Sequence, residues 1–140
     1  MTDWMNDSVA RRWTVRAVSV GNDPLSVTID HRLFEAGPAG QLGLASPVEY
    51  LLVSIAACFA LSCRMALARR THPGASFRVT VVGIKALDAP SRLEVIEIEV
   101  RFPRDLAGDA ESIARQAKEL CTVTNTLARA PQPRVHVRTD

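Results

Sequence analysis

Three cysteines in a chain of 140 residues are the side chains with the most chemistry to offer: Cys58, Cys63 and Cys121. A thiolate is both nucleophile and reductant, and its reactivity follows the local control of its pKa. Cys58 lies in Ala56-Ala57-Cys58-Phe59-Ala60, with no charged residue close by in sequence. It can be read in two ways. A free cysteine among apolar neighbours packs as a small hydrophobe with a raised pKa. A reactive Cys58 needs its cation or hydrogen-bond donor from another segment or another subunit. Cys63 is five positions further, about 140° round a helix from Cys58, so it is expected to face elsewhere and fill the core. Cys121 precedes Thr122-Val123-Thr124 at a junction between two helical patterns. A thiol there meets free N–H groups and the positive end of a helix dipole, which lower its pKa; the alternative is a buried junction residue. Glu49 stands nine residues before Cys58, about 13.5 Å along a helix axis, and cannot reach it through that helix.

Other chemistries are not signalled. The chain has no CxxC pair, and His31, His72 and His136 are far apart, so zinc-type spacing is absent and neither a metal nor a cofactor is expected. Seventeen basic residues interleave with fifteen acidic ones for a net charge of +2, which gives no footprint for nucleic acid or an anionic membrane. The first ten residues are polar with no apolar export segment, and an odd number of cysteines fits a reducing, cytoplasmic setting. The uncharged run Tyr50–Cys63 is fourteen residues, short of the roughly twenty that span a bilayer, so it reads as a buried helix.

The elements that must position these thiols are legible in the patterning. Residues 1–12 are polar and are expected to be flexible, and 13–140 form one domain. Trp13–Val20 alternates apolar and polar residues as a strand does. After the turn cluster Gly21-Asn22-Asp23-Pro24, Leu25–Phe34 alternates again, predicting a hairpin. Glu35–Ala45, with three glycines and Pro38, reads as a loop. Ser46 then opens a helix as N-cap, with Pro47 at the first helical position and Glu49 completing a capping box. Arg69-Arg70 and Pro73-Gly74 end it. Its interior, LLVSIAACFALSC, is apolar on every face, which predicts enclosure on all sides. Ser76–Leu87 and Arg92–Phe102 predict two strands, with a break in alternation at Val95-Ile96 that marks a bulge. Asp109–Leu120 returns to helical period with Ile113, Ala117 and Leu120 on one face. Asn125–Arg129 predicts a short helix and Pro133–Thr139 a final strand. Strands cluster about a long helix without regular crossovers, so the class is α+β.

Two segments together resemble a known family. Ser46-Pro47-Val48-Glu49-Tyr50-Leu51-Leu52 with Ala56-Ala57-Cys58-Phe59-Ala60 is similar to the first cysteine motif of the OsmC/Ohr proteins, the osmotically inducible and organic hydroperoxide resistance proteins. Glu119-Leu120-Cys121-Thr122-Val123-Thr124-Asn125-Thr126-Leu127 is similar to the second, sixty-three residues on (121 − 58), as in the family. The resemblance runs from about Trp13 to Thr139. It implies an intertwined homodimer, with antiparallel sheets wrapped around long central helices and sites at the subunit interface. By position, Cys58 matches the peroxide-attacking thiol, Cys121 the resolving thiol and Glu49 the helix-start glutamate that contacts an arginine. The implied activity is reduction of organic hydroperoxides, with an external dithiol restoring the pair. The implied alternative is a non-catalytic dimer that binds a small hydrophobic ligand. The family's arginine in the first turn is missing from Gly21-Asn22-Asp23-Pro24, and Thr122 stands where a proline is usual. Arg16 is the nearest substitute, and Arg32 and Arg64 are others.

Overall fold

The computed structural model describes residues 11–41 and 43–139, so the expectation for the polar segment 1–12 falls almost entirely outside it. Contacts divide the chain into two units, residues 1–50 and 51–140.

In the first unit, β1 (Arg16–Val18), β2 (Leu25–Ile29) and β3 (Arg32–Ala36) form an antiparallel sheet in the order β1-β2-β3. The Trp13–Val20 strand shrinks to three residues, all exposed. The single strand expected over Leu25–Phe34 is instead two, because the chain reverses at Asp30-His31 between the paired Ile29 and Arg32. Asp30 sits at φ 53°, a left-handed conformation that aspartate tolerates and that a two-residue hairpin turn requires. The following loop is closed by a bridge between Ala36 and Ala45 and by Gly37 N–H donating to the Ala45 carbonyl at 3.2 Å.

Helix α1 spans Pro47–Arg69 and begins as its sequence predicts. The Ser46 N–H donates to Glu49 Oε1 at 2.9 Å, and the Glu49 N–H donates to Ser46 Oγ at 3.3 Å, a reciprocal capping box. Tyr50 Oη donates to the Glu35 carbonyl at 2.9 Å, tying the helix start to β3. At the other end, Thr71 (φ 62°) and Gly74 (φ 78°) turn the chain out of the helix.

In the second unit, β4 (Arg78–Lys85) and β5 (Leu93–Arg101) form a two-stranded antiparallel ribbon. Its pairing slips between Ile84 and Lys85, where Ile84 faces Val95 and Lys85 faces Leu93, so the extra residue is Glu94. The break in alternation therefore does mark an irregularity, one step earlier than Val95-Ile96. Gly83 lies where a Cβ would come within 3.1 Å of the Leu52 and Leu93 side chains, so the missing side chain lets α1 approach the ribbon. A 3₁₀ turn (Arg104–Leu106) leads to α2 (Ala110–Leu120) and α3 (Thr122–Ala128).

The core of this unit lies between α1, α2 and the ribbon. One cluster joins Phe59 and Cys63 of α1 to Ala117 and Cys121, under Val79, Ile98 and Val100 of the ribbon. A second joins Ala66 and Leu67 to Leu106 and Ile113. Ile113 and Ala117 are fully buried, as the helical period of α2 predicts, and Leu120 is half-buried.

Two expectations are corrected. Pro133–Thr139 forms no strand: the segment is exposed, with Val135 and Val137 left open to solvent. Its alternation is that of a strand, but among the described residues no ladder takes it up. Nor is α1 enclosed on all sides. It is apolar enough to pass for a membrane span (mean hydropathy 2.0), yet only 33% of that apolar window is buried. Ile55, Phe59, Cys63, Ala66 and Leu67 face the core, while Val53, Leu61 and Met65 form an exposed stripe at spacings of eight and four. The all-round apolarity thus marks two faces, of which this chain covers one.

Candidate active site

The structure brings Cys58 and Cys121 together. Cys58 is half-buried on the margin of α1, between its core face and its exposed stripe, and packs on the cluster that contains Cys121. Cys121 is fully buried and terminates α2 while serving as N-cap of α3, in extended conformation (φ −79°, ψ 104°). The junction is held by side chains of its own motif. Asn125 Nδ2 donates to the Glu119 carbonyl at 3.0 Å, and Thr124 Oγ1 donates to the Cys121 carbonyl at 3.3 Å. These bonds satisfy carbonyls at the α2 terminus that the helix leaves free.

The thiols differ in acidity for physical reasons. Burial pushes the Cys58 thiol up, and its donation toward the Cys121 sulfur adds to that, against the opposing pull of the Val123 and Thr122 N–H groups. Burial also acts upward on Cys121, but the Thr124 hydroxyl and N–H, the Cys58 thiol and the Val123 N–H together favour its thiolate and bring it below the usual thiol range. Of the two, Cys121 gives up its proton first, and the Cys58 thiol is a donor to it. Cys63 is fully buried in the same cluster as Cys121 and is pushed up to about 11, first by burial and then by the Cys121 charge. It fills the core as expected, in the cluster against which Cys58 packs.

Of the other candidates, Glu49, Arg16 and Arg32 lie in the first unit and Arg64 in the second. Glu49 is engaged in the capping box, and the Ser46 N–H and hydroxyl hold its carboxyl below the ordinary value. Arg16 is exposed on β1, and Arg32 opens β3, also exposed. Arg64 lies on α1 and lines a cavity with Ala57, Ala60 and Ala68. Sequence reasoning missed the contributions of Thr124 and Asn125. The signal was present: a threonine three places after an N-cap position and an asparagine one step beyond are side chains that satisfy helix termini. Among the described residues, no cluster of His, Cys, Asp and Glu could hold a metal ion.

The OsmC-like protein family model matches residues 40–136, which includes both cysteine segments. The chain belongs to the OsmC-like family. Its fold is that of solved family structures. An OsmC-like protein from Mycoplasma pneumoniae is 16% identical with a TM-score of 0.73, covering 86% of this chain and 90% of its own. The organic hydroperoxide resistance protein OhrB of Bacillus subtilis is 17% identical with a TM-score of 0.65, covering 83% and 90%. A hypothetical protein from Aquifex aeolicus is 18% identical with a TM-score of 0.68, covering 86% and 89%. No curated protein matches the sequence. With both cysteine segments inside the matched region, α1 takes its place as the core helix of the OsmC-like fold.

Proposed function

We propose that this OsmC-like protein is a cytoplasmic thiol peroxidase that reduces organic hydroperoxides through Cys58 and Cys121. The observation that carries the reading is the pairing of the two thiols at the α2–α3 junction, one half-exposed and one buried. Cys58 is the sulfur a substrate can reach. Cys121 is the more acidic of the two, so its thiolate is the base nearest the Cys58 proton.

The chemistry follows from that division. The Cys58 proton moves to the Cys121 thiolate, leaving a Cys58 thiolate. Its sulfur attacks the terminal oxygen of R–O–O–H; the O–O bond breaks, an S–O bond forms, and the peroxide is reduced by two electrons to the alkoxide. The alkoxide takes the Cys121 proton and leaves as an alcohol. The regenerated Cys121 thiolate attacks the Cys58 sulfenic acid, forming the disulfide and expelling hydroxide, which solvent protonates. An external dithiol then returns both sulfurs to the starting state.

We place a second copy of the chain against the exposed stripe of α1. Val53, Leu61 and Met65 are 60%, 56% and 49% exposed, a continuous apolar face that water disfavours. The unpaired alternation of Pro133–Thr139 supports an intertwined homodimer in the same way, as does the family resemblance. We assign Arg16 and Glu49 to the site on the family resemblance alone, Arg16 in the role of the absent turn arginine.

The test is steady-state consumption of cumene hydroperoxide with dithiothreitol as reductant. Wild type turns over and Cys58→Ser does not; equal rates for the two would overturn the assignment.

A further inference from the structure

A cleft of about 660 Å³ opens between β5 and α2, a volume in the usual range for small-molecule sites. Its floor is apolar: Ile96, Ile98, Val100 and Phe102, with Phe59 behind them. The alternation of β5 supplies this, because the residues between them, Glu97, Glu99 and Arg101, project to the opposite, exposed face. On the helix side, Ala110 and Ala114 stand one turn apart where larger side chains would fill the gap.

The rim is not neutral. Arg115 and Lys118, three positions apart on α2, border the opening together with a single carboxylate, Glu111. Among the described residues neither cation forms an ion pair, while four other pairs occur on His72, Arg92 and Arg101. An apolar trough whose rim carries two cations against one carboxylate, a net positive edge, complements a hydrocarbon chain ending in an anion.

We propose that this cleft binds an unbranched monocarboxylate, its chain lying on Ile96, Ile98, Val100 and Phe102 and its carboxylate held by Arg115 and Lys118. A guanidinium and an ammonium can both donate to one carboxylate, and such charge-assisted bonds are the strong ones. A cationic amphiphile meets repulsion at the same rim. A neutral alcohol gains the floor but not the rim. The cleft is built wholly from the second unit, and the binding needs neither peroxide nor a reduced thiol, so the proposal stands or falls apart from the peroxidase reading.

The experiment is isothermal titration of the full-length protein with octanoate, 1-octanol and octyltrimethylammonium at low salt. Octanoate is expected to bind saturably, about tenfold more tightly than octanol, with no measurable binding of the cation. The double variant Arg115→Gln/Lys118→Gln is expected to remove the preference for octanoate over octanol, and Ala114→Phe to abolish binding of both by filling the trough. Raised salt is expected to erode the octanoate preference alone. Equal affinity for octanoate and octanol, an unchanged preference in the double variant, or no binding of either (as when a second copy covers the cleft) would each overturn the proposal.

Discussion

Replacing Cys121 with serine separates two roles that a peroxidase thiol pair can divide between its members. A sulfur that only resolves a sulfenic acid acts after the peroxide has been cleaved, so its removal leaves the first step at full speed. In the proposed mechanism Cys121 is also the group that accepts the Cys58 proton and returns it to the leaving alkoxide. Burial is the largest cause of the raised Cys58 thiol and persists in the variant, while the smaller upward contribution of Cys121 is lost with it. A serine hydroxyl is not ionised near neutrality and cannot take the Cys58 proton. Each unit by which a thiol lies above the working pH lowers its thiolate fraction about tenfold. Losing a positioned general acid costs a further factor of about 10² to 10⁴. Sulfenic acid formation at Cys58 is therefore expected to slow by at least about 100-fold in Cys121→Ser at pH 7. The deficit should narrow as pH rises, because a thiol with a raised pKa gains thiolate with pH whether or not a partner takes its proton. The assay is single-turnover mixing of reduced protein with cumene hydroperoxide, with dimedone trapping of the Cys58 sulfenic acid read by mass spectrometry. A first-turnover rate in Cys121→Ser equal to wild type would refute the proton-transfer role and leave Cys121 a resolving residue alone.

Four further outcomes are expected. Leu67→Ala removes three carbons from a site 1% exposed among Leu106, Ile113 and Ala66, and is expected to cost about 3 kcal/mol in urea unfolding at fixed protein concentration. Ser46→Ala, which removes one half of the capping box, is expected to cost about 1 kcal/mol in the same measurement without altering the number of subunits. Met65→Glu places a charge on the exposed stripe of α1 and is expected to convert a dimer to monomers by sedimentation; wild-type monomers at micromolar concentration would count against the dimer. Cys63, buried and with its pKa at about 11, is expected to resist iodoacetamide at pH 8 in the folded protein and to react fully once unfolded.

The helix that carries Cys58 was legible to its first residue, because capping is local chemistry: Ser46 and Glu49 bond within one turn whatever surrounds them. The periods of α2 and the ribbon were legible for the same reason, since Ile113, Ala117 and the alternating valines and isoleucines of β5 each declare a single buried face. Asp30-His31 was not read as a turn, because the alternation of Leu25–Phe34 runs through it and only a left-handed φ at Asp30 breaks the strand in two. The exposed side of α1 and the unpaired Pro133–Thr139 were misread because apolar periodicity reports that a face is to be covered, not which chain covers it. At the site, spacing and motif pointed to Cys58 and Cys121, but their order of ionisation depends on Thr124, Val123 and the thiol–thiol contact, which only the fold assembles.

The central claim is that Cys58 and Cys121 form one redox unit, and treatment of the fully reduced protein with one equivalent of cumene hydroperoxide tests it most directly. Intact mass and peptide mapping after alkylation are predicted to show a loss of two hydrogens, a single disulfide joining the Cys58 and Cys121 peptides, and an unmodified Cys63. Persistence of three free thiols while the peroxide remains, or a disulfide that joins Cys63 instead, would contradict it.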